Sequence, residues 1–92
     1  MRKSIHSAEN RLLLGMLKRS RRARGLRQRD LGVSLGRDQA FVSKVESGER
    51  RLDVIELRSW LEAMGVEFVS FVRELDEGIN ASRRQVSAIR RK

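Results

Sequence analysis

The sequence predicts an all-α fold, a compact bundle of five helices. Apolar residues recur at spacings of three and four along most of the chain, no stretch alternates apolar and polar residues long enough to form a strand, and β-branched residues are not clustered. With 92 residues, the chain has room for one core and short tails.

Each helix can be placed by its cap and its apolar stripe. Ser7 is an N-cap for a first helix over about Ala8 to Arg24, with Leu13, Leu14 and Leu17 inward and Gly25 as its stop. A second helix over about Arg27 to Leu35 puts Leu31 and Leu35 on one face, and Gly36 ends it. Asp38 caps a third helix that carries Val42 and Val45 inward and stops at Gly48. Asp53 followed by Glu56 has the spacing of a capping box and opens a fourth helix, whose stripe is Val54, Leu57, Trp60, Leu61 and Met64, ending at Gly65. The fifth, over about Glu67 to Asp76, is expected to bury Phe68, Phe71, Val72 and Leu75. These elements set the expected organisation: an N-terminal arm over residues 1–7, a domain over 8–77, and a polar, basic tail over 78–92, read either as a disordered arm or as a helix ordered by a partner.

Charge is the strongest bulk signal. The chain holds 21 Lys and Arg against 12 Asp and Glu, for a net +9. The sign changes along the chain: residues 1–51 carry 14 basic and 5 acidic side chains, residues 52–77 carry 2 and 7, and residues 78–92 carry 5 and none. Seven basic residues between Lys18 and Arg29 exceed what solubility requires, so nucleic acid is the leading expected partner. Cysteine is absent, which removes disulfides and thiolate metal cages and fits a reducing cytoplasm. The single histidine, His6, has no companion ligand, so no metal or other cofactor is expected. Leu12 to Leu17 is too short for a signal core or a membrane span. No paired nucleophile and base, metal cluster or phosphate loop points to an enzyme.

The region from Gln28 to Ser47 meets the requirements of a helix-turn-helix. Two short helices crossing at a tight turn need a small residue where their backbones approach, a glycine at the turn, and apolar residues holding the second helix to the first. Counting Gln28 as first, Gly32 is fifth, Gly36 ninth, Val42 fifteenth and Val45 eighteenth, with Leu31 and Leu35 inward between them.

Over about Leu14 to Leu75 the chain resembles the phage-repressor and Cro-like (XRE-type) helix-turn-helix family. The resemblance is carried by Arg21, by Gly25-Leu26-Arg27-Gln28-Arg29-Asp30-Leu31-Gly32, by Leu35-Gly36, by Val42-Ser43-Lys44-Val45-Glu46-Ser47-Gly48 and by Met64-Gly65-Val66. It implies a five-helix lambda-repressor-like domain that binds operator DNA as a two-fold dimer. By position, it makes Gln28 a phosphate anchor and presents Gln39, Ala40, Ser43 and Lys44 to base edges. Gln39 suits adenine and Ala40 a thymine methyl; Lys44 suits guanine, with a phosphate contact as the alternative. Arg21 and Glu46 match an ion pair tying the first helix to the end of the recognition helix, and Arg50 and Arg51 fall where the family touches the DNA backbone. Two positions depart from the pattern: Arg27 stands where Ser or Thr caps the second helix, and Arg37 follows Gly36 where an apolar residue is usual. Both are assigned to the DNA backbone, as is Phe41, which either covers the end of the recognition helix or touches a sugar or thymine methyl.

The expected function is sequence-specific regulation of transcription, chiefly repression, by a cytoplasmic, nucleoid-associated homodimer on a pseudo-palindromic double-stranded operator. Val66, Val69 and Val72 are the expected dimer edge. One rival is an antitoxin-type regulator of the same fold that also neutralises a protein partner; another is non-specific compaction of nucleic acid.

Overall fold

The computed structural model describes residues 7–90, with side chains through residue 85. Five helices follow one another: α1 (Ala8–Ala23), α2 (Gln28–Leu35), α3 (Gln39–Glu46), α4 (Val54–Met64) and α5 (Phe68–Arg90). No strand occurs among the described residues. The expected arm over 1–7, Ser7 apart, lies outside the described residues, as do the last two residues of the tail.

The starts of the helices are chemically marked. Ser7 Oγ accepts from the Asn10 amide at 3.0 Å, and Asp38 Oδ1 accepts from the Phe41 amide at 2.9 Å. Asp53 and Glu56 form a reciprocal box: Asp53 Oδ1 accepts from the Glu56 amide and Glu56 Oε1 from the Asp53 amide. Each such cap satisfies a donor the helix cannot, worth about 1 kcal/mol. Glu67 does the same for α5, accepting from the amides of Val69 and Ser70.

The turn between α2 and α3 depends on two glycines. Gly36 is left-handed at φ 69°, a conformation costing other residues about 1–2 kcal/mol. At Gly32 a Cβ would lie 2.9 Å from the Arg37 carbonyl oxygen, so the backbone of the turn can close on α2 only over a residue without a side chain.

The core draws on every helix. Leu17, Leu31, Val42, Val45 and Leu61 are fully buried, with Trp60 among them. Burial of each such side chain is worth about 1.5–3 kcal/mol. Leu13, Leu14 and Leu35 are half-buried and pack against this cluster, while Met16 completes it from α1. Two residues assigned to the core are exposed. Val54 is 61% exposed, because it opens α4 a full turn before Leu57, beyond the edge of the core. Val72 is 36% exposed: the buried stripe of α5 is narrow, centred on Phe71 and flanked by Phe68 and Leu75, and Val72 sits about 100° around the helix from Phe71.

The largest departure concerns α5, which does not end at Asp76 but runs on through Gly78 for 23 residues in all. Gly78 is no terminator. It faces α1, where a Cβ would come within 3.0 Å of a Leu12 methyl carbon, and Ile79 beside it is half-buried. Further along, Arg83 Nη2 donates to Glu9 Oε2 at 3.1 Å. The first part of the expected tail is thus a helix laid against the start of α1.

Candidate nucleic-acid interface

Burial of one side of α3 decides what its other side can do. Val42, Val45 and Glu46 are turned inward. Gln39, Ala40 and Lys44 are exposed and Ser43 is half-buried. Ala40, Ser43 and Lys44, three and four apart, share a face, and the four expected base readers line the outward side of the helix. The preceding turn brings the start of α2 alongside: Gln39 Nε2 donates to Gln28 Oε1 at 3.2 Å.

Behind this face lies the Arg21–Glu46 pair. Arg21 Nε donates to Glu46 Oε2 at 2.6 Å and Nη2 to Oε1 at 3.0 Å. The remaining arm, Nη1, donates to the Leu26 carbonyl at 2.6 Å. Arg21 is 6% and Glu46 8% exposed, so the pair is interior, and a guanidinium fork with all its arms used holds the end of α3 against α1 and the α1–α2 loop. Gln28 Nε2 also donates to Glu46 Oε1, at 3.0 Å. A link between Gln28 and Glu46, 18 residues apart, leaves no trace in sequence periodicity, and the sequence reading missed it.

The cations assigned to the DNA backbone are differently placed. Arg27 occupies the cap position of α2, where it offers no side-chain acceptor; Asp30 compensates by accepting from the Arg27 amide at 2.8 Å and from its guanidinium at 3.0 Å. These bonds hold the Asp30 carboxyl down at about 2, and Asp30 in turn raises Arg27. Arg50 makes two 3.0 Å bonds to Glu56 and one of 2.7 Å to the Arg51 carbonyl. Arg50's guanidinium is the main reason the Glu56 carboxyl is lowered, and the capping bond from the Asp53 amide adds to it. Arg27 and Arg50 are therefore neutralised in part by carboxylates of their own chain.

Phe41 has the neighbour that the sequence did not reveal. Its ring lies 5.7 Å from that of Trp60, tilted by 50°, and is half-buried. Arg37 stacks over it at 3.7 Å and Arg50 at 4.8 Å. Both guanidiniums gain cation–π attraction, and the ring fixes them beside the start of α3. Arg37 thus replaces the usual apolar residue with a side chain that covers an aromatic face.

The dense basic run also divides its labour. Arg21 is internal, Arg27 pairs with Asp30, and Arg24 Nη2 donates to the Gly65 carbonyl at 3.3 Å, a cation at the C-terminal end of α4. Among the described residues no group of three or more His, Cys, Asp or Glu is placed to hold a metal ion. None of the described helices is long and apolar enough to cross a membrane.

Two short helices locked by a glycine turn, with the second presenting its exposed face beside the start of the first, define a helix-turn-helix DNA-binding domain. A helix-turn-helix family model matches residues 17–71. The chain is 37% identical over 59 residues to the uncharacterized HTH-type transcriptional regulator y4dJ of Sinorhizobium fredii, a match covering 64% of this chain and 77% of that protein. A solved XRE-family like protein from Pseudomonas syringae superposes with a TM-score of 0.75 at 40% identity, covering 80% of this chain and 90% of that one. The chain belongs to the XRE-type helix-turn-helix family.

Proposed function

We propose that the protein is a sequence-specific transcription regulator, acting chiefly as a repressor, that reads double-stranded operator DNA through the outward face of α3. The observation carrying this reading is the division of α3: Val42, Val45 and Glu46 anchor it inward, while Gln39, Ala40 and Lys44 stand exposed beside Gln28. With α3 in the major groove, Gln39, Ala40, Ser43 and Lys44 meet base edges. Gln28, at the start of α2, meets a phosphate together with that helix's amides. Arg27, Arg37, Arg50 and Arg51 line the backbone on either side, with Phe41 beneath the Arg37 and Arg50 guanidiniums as their support rather than as a contact of its own. Arg27 and Arg50 act there as oriented donors of reduced net charge, because Asp30 and Glu56 offset them.

A single domain covers one half-site. Two copies joined in two-fold symmetry along an edge of Val66, Val69 and Val72 would read half-sites about 10 bp apart. Val69 is 55% exposed and Val72 36%, an apolar edge suited to a self-complementary contact.

Variants separate readers from anchors. Gln39→Ala and Lys44→Ala should each weaken the preferred site by about 1–3 kcal/mol and flatten base preference, whereas Arg51→Ala should weaken all duplexes alike and reduce the salt dependence by about one ion. Titrations of a selected operator and its single-base variants, repeated at several salt concentrations, check both. Uniform weakening by all three variants would overturn the assignment.

A further inference from the structure

A hydrogen-bonded chain runs from the interior to the outward face of α3. Glu46 Oε1 accepts from Arg21 Nη2 and from Gln28 Nε2, both at 3.0 Å. Gln28 Oε1 accepts in turn from Gln39 Nε2 at 3.2 Å. A carboxylate accepts and does not donate, so Gln28 can meet Glu46 only with its amide nitrogen, and its carbonyl oxygen must face the other way. Gln39 can meet that oxygen only with its own nitrogen. The orientation of both amides therefore follows from a charge two links away. Gln39 is left with a carbonyl oxygen and a second N–H, an acceptor beside a donor.

We propose that Glu46 is a positioning residue for base readout: it fixes the amide polarity of Gln28 and, through it, of Gln39, so that Gln39 presents an edge that accepts adenine and rejects guanine. The proposal rests on the reading of Gln39 as a base contact. Adenine offers the major groove an acceptor at N7 and a donor at N6, whereas guanine offers acceptors at both N7 and O6. Gln39 held by Glu46 matches the first pattern. With the polarity reversed, Gln28 would give its N–H to the Gln39 oxygen, and Gln39 would turn its two N–H groups to the groove, the pattern that suits guanine. Arg21 takes part by occupying both Glu46 oxygens and so fixing the carboxylate in place.

Two substitutions test this differently. Glu46→Gln keeps the shape of the side chain but can donate as well as accept, which releases the polarity of the chain. Gln28→Met breaks the chain and leaves the Arg21–Glu46 pair intact. A duplex selected from a random pool supplies the operator, and the position that Gln39 reads is the one whose base preference Gln39→Ala abolishes. Affinities are then compared, at one salt concentration, for adenine and guanine at that position. The unaltered protein should prefer adenine about 10-fold or more, and the ratio should fall to about threefold or less in both variants. A merely structural tie lowers both affinities by the same factor and keeps the ratio, and that result in either variant overturns the proposal, as does a guanine preference in the unaltered protein. If Glu46→Gln does not fold, Glu46→Asp takes its place: it keeps the charge but shortens the reach to Gln28 by one methylene, and an unchanged ratio in it overturns the proposal. If Gln39→Ala alters no base preference, the reading of Gln39 fails and the relay with it; if it does and Gln28→Met does not, the relay alone fails.

Discussion

Removing one half of the Arg21–Glu46 pair leaves the other charge in the interior without a partner. Arg21→Ala or Glu46→Ala should therefore cost about 3–5 kcal/mol, while replacing both by Met and Leu should be near neutral or stabilising. Urea denaturation of the two single variants and the double variant checks this; additive losses would show that the pair is not coupled. Asp30 gives a second residue-scale expectation. Folding lowers its carboxyl from 3.8 to about 2 through the bonds from Arg27. The folded state thus binds that proton more weakly than the unfolded chain. Its contribution is present in full above the unfolded value, declines as pH falls below it, and is gone once pH has passed through about 2. The urea midpoint of Asp30→Asn should lie below that of the parent at pH 7 and converge on it near pH 2. A gap that persists at pH 2 would mean that the Arg27–Asp30 bonds do not stabilise through the ionised carboxylate.

At the scale of elements, what could be read from the sequence was local chemistry. Ser7, Asp38 and the Asp53–Glu56 box mark three helix starts within a few residues of the side chains they serve. Gly32 and Gly36 mark the turn for the same reason, and the α3 stripe of Val42 and Val45 separates inward from outward faces by spacing alone. What could not be read depends on pairs distant in the chain. Phe41 rests on Trp60, 19 positions on, and Arg50 turns to Glu56 across a loop with no period. The length of α5 belongs to this class. Past Leu75 its apolar residues are too sparse to form a stripe, and the reason it continues lies in Leu12 and Glu9 of α1, more than 60 residues away. The reading of α3 as a recognition helix was legible as a face; the Glu46–Gln28–Gln39 chain behind it was not.

At the scale of the molecule, the question is how a small domain acquires enough grip on DNA. The Val66, Val69 and Val72 edge is where the proposed two-fold contact forms. Val69→Asp should yield a monomer by analytical ultracentrifugation, with operator affinity reduced while Arg21–Glu46 and the core stay intact. A Val69→Asp protein that remains dimeric would move the interface elsewhere, with the extended α5 as the next surface to test. The basic balance of the chain, +9 overall, supplies attraction for any duplex and cannot by itself distinguish an operator from random sequence. The proposed source of that distinction is the outward face of α3, and competition at physiological salt examines it directly. A duplex selected from a random pool, bound by the protein, is challenged with unlabelled selected duplex or unlabelled random duplex. Readout through α3 predicts that at least about a thousandfold more random duplex is needed for the same displacement; displacement by random duplex at equal concentration would contradict it.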